Sequence, residues 1–253
     1  MKEIENQLSK QQVAEKLYEN ICTLDHSFGF ESLKRNNIQY LKENIVITSV
    51  GNTIQFIDIA ESRYRWINVP GHGGIGALAL HPSKKWVAIG EKSREKPNVY
   101  IYEITIESDI ESISLKPIKT LKNGTLRAFS SMAFNSKGNR LATVGSSPDY
   151  LLTIWNWEQE KIALRYKAFG QDVYSVSFSA TSEGQLTTSG TGHIKFWKMA
   201  KTFTGLKLKG QIGKFGKIDI SDISSCVELP DGKVLSGCED GYLLLWDENL
   251  IKC

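Results

Sequence analysis

From Asn36 onward, apolar and polar residues alternate in short runs separated by turn-forming residues. Asn44-Ile45-Val46-Ile47-Thr48-Ser49 and Thr53-Ile54-Gln55-Phe56-Ile57-Asp58-Ile59 are two such runs. Gly51-Asn52 between them fits a tight hairpin, because glycine takes positive φ without strain. Tyr64 to Val69 is a third run. The pattern then continues through Ile75 to Leu80, Trp86 to Gly90 and Asn98 to Ile104, and through Ala128 to Phe134, Leu141 to Gly145 and Leu151 to Trp157. It resumes at Val173 to Phe178, Gln185 to Ser189 and His193 to Lys198, and again at Ser221 to Leu229, Val234 to Gly237 and Tyr242 to Trp246. Residues 1–35 differ. Ile4, Leu8, Val13 or Ala14, Leu17 and Ile21 recur at helical spacing, which predicts one amphipathic helix over about residues 3–22. Such a helix either packs on the rim of the β region or docks a partner.

The β runs group into repeats. Thr153-Ile154-Trp155-Asn156-Trp157, His193-Ile194-Lys195-Phe196-Trp197-Lys198 and Leu243-Leu244-Leu245-Trp246-Asp247 are three copies of a strand ending in Trp and a polar residue. Ile54 to Asp58 and Val99 to Glu103 are weaker copies. Asp58, Glu103, Asn156, Lys198 and Asp247 then follow one another at steps of 45, 53, 42 and 49 residues. A period near this length with a Trp-Asp-like ending is the signature of a β-propeller blade. The fold class expected is all-β: a WD40-type propeller of about five four-stranded blades, partial or open, with a short N-terminal helix. The expected domain division is 1–35 for the N-terminal segment and 36–253 for the blades. Blade boundaries are expected near 36–70, 71–121, 122–169, 170–210 and 211–253. Propellers of this type usually close with about seven blades and the fold allows four to eight, so the chain is either part of a longer propeller or a small closed ring. The run of repeats also stops near the end of a third strand, before a convincing outer strand. A longer propeller, of which this is part, is therefore the expectation.

Composition narrows the function more than the fold. Of 253 residues, 41% are hydrophobic and 23% charged, an ordinary globular balance. A net charge of +3 is too small to argue for nucleic acid. No apolar run reaches the length of a membrane span, and the polar N-terminus lacks a signal-peptide core. The four cysteines, Cys22, Cys226, Cys238 and Cys253, have no metal-ligand spacing and read as reduced thiols of an intracellular protein. Neither a nucleic-acid nor a membrane partner is expected.

Candidate residues fall into two groups. Blades of this type hold their strands with a buried set: a His before the first strand, a Ser or Thr on the second, an Asp in the hairpin and the Trp of the third. His72, Asp149, Trp155, Ser189, Trp197, Asp240 and Trp246 occupy such positions, with no blade complete. Their expected role is structural, because buried polar groups need partners whatever the function. The second group lies in the segment from Lys198 to Lys217, which has no acidic residue. Its alternation at Phe203, Leu206 and Leu208 predicts a strand followed by an exposed Gly-rich loop. Lys201, Lys207, Lys209, Lys214 and Lys217 form either a surface for an acidic partner or a solvated face. The four histidines are scattered, and no nucleophile elbow or phosphate loop occurs. Neither an enzyme nor a cofactor is expected.

Several strings go beyond the generic blade. His26-Ser27-Phe28-Gly29-Phe30, Gly145-Ser146-Ser147-Pro148-Asp149-Tyr150, Ala168-Phe169-Gly170-Gln171-Asp172-Val173, Thr202-Phe203-Thr204-Gly205-Leu206-Lys207-Leu208 and Glu228-Leu229-Pro230-Asp231-Gly232 are examples. They resemble the N-terminal WD-repeat region of the cilia- and flagella-associated protein 44 family, and the resemblance runs over roughly residues 26–253. It implies a non-enzymatic scaffold of the ciliary or flagellar axoneme. The partners it implies are a sister WD-repeat tether protein, an inner-arm dynein and tubulin, in a tether that supports ciliary beating. This chain lacks the family's second propeller and coiled-coil tail. A microtubule-binding propeller and a general cytoplasmic interaction propeller are the alternatives.

Overall fold

The computed structural model describes residues 26–69, 73–203 and 205–253. The helix expected over residues 3–22, and His72, lie outside the described residues. The rest forms five four-stranded antiparallel sheets, each a meander of consecutive strands. Blade one is β1 (Ile38–Tyr40), β2 (Ile45–Val50), β3 (Thr53–Asp58) and β4 (Arg63–Asn68). Blade two is β5 (Gly74–Leu80), β6 (Trp86–Lys92), β7 (Val99–Thr105) and β8 (Ser114–Leu121). Blade three is β9 (Phe129–Phe134), β10 (Leu141–Gly145), β11 (Leu151–Asn156) and β12 (Lys161–Lys167). Blade four is β13 (Val173–Phe178), β14 (Gln185–Gly190), β15 (His193–Thr202) and β16 (Gly205–Ile212). Blade five is β17 (Ile223–Glu228), β18 (Val234–Cys238), β19 (Leu243–Asp247) and β20 (Leu250–Ile251).

The middle strands read as nearly continuous apolar runs because a blade is buried on both faces. Four apolar clusters result, each lying between consecutive blades. Ile47, Phe56, Leu78 and Ile89 join blades one and two, while Phe129, Met132 and Trp155 pack with Val99 and Leu121 to join two and three. Val144 and Ile154 meet Val176 and Trp197 between three and four, and Ile194 meets Trp246 between four and five. The inner strands approach closely. At Gly76 a Cβ would stand 2.4 Å from the Phe129 carbonyl oxygen, so only glycine fits where β5 runs beside β9.

The arc is open at blade five. Leu152 in blade three, Ile194 in blade four and Leu243 in blade five occupy the same register, one place beyond the residue facing the strand's hydroxyl. The first two are fully buried and Leu243 is 68% exposed. Blade five also has an outer strand that the sequence pattern does not reveal. The two residues of β20 pair with Trp246 and Asp247.

A cross-tie spans the arc from before β1. Lys34 Nζ donates to the Ile75 carbonyl (2.7 Å) and Arg35 Nε donates to the Ser224 carbonyl in β17 (2.7 Å). Gln39 continues it, donating to the Leu78 carbonyl (3.2 Å) and accepting from the Leu80 N–H (2.9 Å), as a neighbouring strand would. On the outward side of blade one, His26 packs edge-on against Trp66, which stacks with Tyr64.

The basic segment differs from its expectation. Lys198 to Lys217 is not a strand and a loop. β15 and β16 pair from Lys195 with Ile212 to Thr202 with Gly205. The neighbouring strand β14 pairs with β15 only as far as Lys198, so Met199 to Thr202 project as a two-stranded hairpin. Phe203, which the alternation placed on a strand face, is fully exposed at the tip.

Candidate interaction surfaces

Inside the blades the indoles are tied down by strand hydroxyls. Trp155 Nε1 donates to Thr143 Oγ1 (3.0 Å), Trp197 Nε1 to Thr188 Oγ1 (2.9 Å) and Trp246 Nε1 to Ser236 Oγ (2.8 Å). Thr188, not Ser189, is therefore the acceptor in blade four. Ser189 points to the other face of β14, where its hydroxyl meets Ser175 Oγ (2.8 Å). Blade two has Tyr102 at this place, its hydroxyl buried without a partner and its pKa pushed up to about 12 by burial, with Tyr100 and Glu91 adding to the effect.

The hairpin acids part ways. Asp149 accepts from Thr125 Oγ1 (2.8 Å) and the Leu126 N–H (3.0 Å), closing blade three onto its entry loop. Asp240 stands exposed in its turn, outside the set that holds Trp246. Blade four takes its acid from the next blade. Asp222 accepts from the Gly192 N–H (2.9 Å) and from the Tyr174 hydroxyl (2.9 Å), which also meets Thr191 Oγ1 (2.8 Å). The sequence reading missed Asp222. Its signal was its place, immediately before β17 in the link between blades.

Two buried histidines complete these joints. His81 lies against Trp86, Phe134 and Trp157. Its Nε2 is 3.0 Å from the Gly138 carbonyl, which can only accept, so that nitrogen carries the proton. Nδ1 then accepts from the Ser83 N–H (3.1 Å). His193 stacks on Phe169 at 3.8 Å, with Nδ1 at 3.1 Å from the Thr191 carbonyl. Burial lowers the pKa of both rings. Cys226 is likewise inert, because burial between Ser175 and Ser189 raises its thiol pKa. Among the described residues no three His, Cys, Asp or Glu side chains converge as metal ligands.

What remains for recognition is the two ends of the blades. One end, the upper, carries the β6–β7 and β10–β11 type hairpins and the links between blades. The lower end carries the β9–β10 and β15–β16 type turns. The projecting hairpin lies at the lower end. Lys198 stands directly opposite Lys209, and Lys207 follows on the same face. Together with Phe196 and Gln211, Lys198 and Lys209 line a cleft of about 310 Å³ against blade five. Glu228 lines it too. Burial works against its charge, but hydrogen bonds from Ser179 Oγ, the Ala180 N–H and Thr181 Oγ1 outweigh that and lower its pKa. Its carboxylate is thus spent on the turn. Lys201 pairs with Leu206 on the opposite face, and Lys214 and Lys217 lie beyond β16 in the link to blade five. The structure therefore groups Lys207 and Lys209 with Lys198 and separates them from Lys201, Lys214 and Lys217.

Five meandering sheets, three of them pinned by an indole–hydroxyl pair, define a WD-repeat β-propeller arc. The family model for the WD domain, G-beta repeat, matches residues 216–247. The solved structure of U3-55K superposes with a TM-score of 0.64 at 17% identity, covering 89% of this chain and 65% of that one, which shows the fold alone. By sequence, cilia- and flagella-associated protein 44 of Chlamydomonas reinhardtii is 49% identical over 88% of this chain, and that of Trypanosoma brucei brucei 39% over 89%. Echinoderm microtubule-associated protein-like 4 of Xenopus laevis is 25% identical over 90%. Over the matched region the chain is similar to cilia- and flagella-associated protein 44, and it spans 12–13% of the length of those curated relatives.

Proposed function

We propose that this chain is a non-enzymatic scaffold of the ciliary or flagellar axoneme, built into the tether of an inner-arm dynein beside a sister WD-repeat protein. The observation that carries the reading is 39–49% identity along nearly the whole chain to proteins named for cilia and flagella. The geometry agrees with it. The buried indoles of Trp155, Trp197 and Trp246 are committed to strand-to-strand joints, and the ends of the blades are left to meet other proteins. Expression of the tagged chain in a ciliated cell tests this. Signal along the axoneme that survives detergent extraction is the expected result, and a uniform cytoplasmic signal over bare cilia would overturn it.

A second reading is direct contact with the acidic surface of tubulin through Lys198, Lys207 and Lys209. Lys198, Lys207 and Lys209 of the projecting hairpin form no ion pair among the described residues, which favours it. Co-sedimentation with microtubules should weaken steeply with salt, and weaken again when the acidic tubulin tails are trimmed. Co-sedimentation insensitive to both would remove it.

A further inference from the structure

The upper end holds a separate cationic groove that neither the sequence reading nor the lower hairpin accounts for. A depression of about 1250 Å³ lies between blades two and three, lined by Lys92, Ser93, Arg94, Glu95, Arg127 and Ser146. It runs inward into a smaller one of about 240 Å³, which shares Lys92 and Ser146 and has apolar lining at Leu33 and Ala128, with the buried Phe129 and Val173 behind them. The backbone sets this arrangement. The Ser93 N–H donates to the Arg127 carbonyl (2.8 Å), and Lys92 bridges to Ala128. Those bonds hold the end of β6 beside the entry to β9 and bring two cations together across the blade boundary.

The charges there are not balanced within the chain. Lys92, Arg94 and Arg127 are exposed and form no ion pair among the described residues. Lys34, anchored on the Ile75 carbonyl at the inner edge, has its pKa lowered by burial; the nearby charge of Glu31 raises it and that of Lys92 lowers it again. Glu95 on the rim and Asp172 on the inner wall are the carboxylates that line the groove. Asp149 nearby is already held by Thr125 and Leu126. Like charges held close together cost free energy that an anionic partner recovers.

We propose that this groove binds an extended segment of a partner protein carrying several acidic side chains beside one apolar residue. The carboxylates lie along Lys92, Arg94 and Arg127, where the guanidinium forks of the two arginines suit them. The apolar side chain enters the smaller depression against Leu33 and Ala128. The assignment is independent of the axonemal reading and of the lysine hairpin.

Fluorescence anisotropy of the purified chain with a fluorescein-labelled peptide of glutamates around a single leucine tests it. Saturable binding is expected, weakened about tenfold or more by R94E/R127E and much less by K207E/K209E, which removes only the leucine-independent contact at the other end. R127Q, which changes one exposed side chain, serves if the double reversal fails to fold. Replacing the peptide leucine by serine should also cost about tenfold, since the inner depression would lose its occupant. Binding unaffected by the upper-end variants would overturn the proposal. So would an oligonucleotide of equal charge that binds as tightly, because the groove would then read charge alone.

Discussion

At the scale of single residues, the indole–hydroxyl joints obey one rule of register. Trp155, Trp197 and Trp246 stand directly opposite Leu141, Leu186 and Val234, and each indole reaches the hydroxyl two places further along that strand. Thr188→Val keeps the shape but leaves the Trp197 N–H buried without an acceptor. A loss of about 1–3 kcal/mol is expected in urea unfolding. Ser189→Ala should cost less, since it leaves the Trp197 joint intact. The sequence reading placed the acceptor one residue off because Thr187, Thr188 and Ser189 are chemically alike; only the pairing says which faces the indole, and a shift of one turns a side chain to the opposite face. Asp149 was legible because a hairpin acid beside its own blade's entry loop is a local arrangement. Asp222 was not, since it serves a hairpin 30 residues away. The histidines give a pH prediction. Both folded-state pKa values lie below the ordinary value of 6.5, so the unfolded chain binds more protons at mildly acid pH. Stability should be full above about pH 6.5 and fall as the pH drops through and below it. Urea midpoints from pH 7.5 down to pH 5 check this, and His81→Gln should flatten part of the slope.

At the scale of elements, most strands could be read because short apolar runs bounded by turn residues survive where a blade is buried on both faces. The β15–β16 hairpin could not, since its exposed face carries lysines and its strands contain Gly205 and Gly210, both poor strand formers. It forms because Trp197, Met199, Leu206 and Leu208 pack towards blade three on the hidden face. That face comes at the cost of Lys198 opposite Lys209, a destabilising like-charge pair. Lys209→Glu therefore has opposite effects on fold and binding. It should stabilise the chain by about 0.2–1 kcal/mol, seen as a higher melting temperature. The same change should weaken co-sedimentation with microtubules. A variant that loses stability and binding together would mean that the lysines serve the fold.

At the scale of the whole molecule, repeated strands foretold the number of sheets, but not how the arc is braced. Lys34 and Arg35 lie in the irregular stretch before β1 and Gln39 in the short edge strand itself, and their carbonyl partners belong to residues 75, 224 and 78. No local pattern encodes contacts so distant in sequence. Arg35→Ala should loosen blade five while leaving blades two to four as they are. Hydrogen exchange would show it as faster exchange of amides in β17 and β18, with β9 and β10 unchanged. The alternation of strand direction has a further consequence. It sets the lysine hairpin and the upper groove at opposite ends of strands of about six residues, roughly 20 Å apart. Two proteins that also bind each other can occupy both sites without competing for space, and each then raises the other's effective concentration towards the millimolar range. Avidity of this kind lets each contact be individually weak and exchangeable while the three-part assembly stays together.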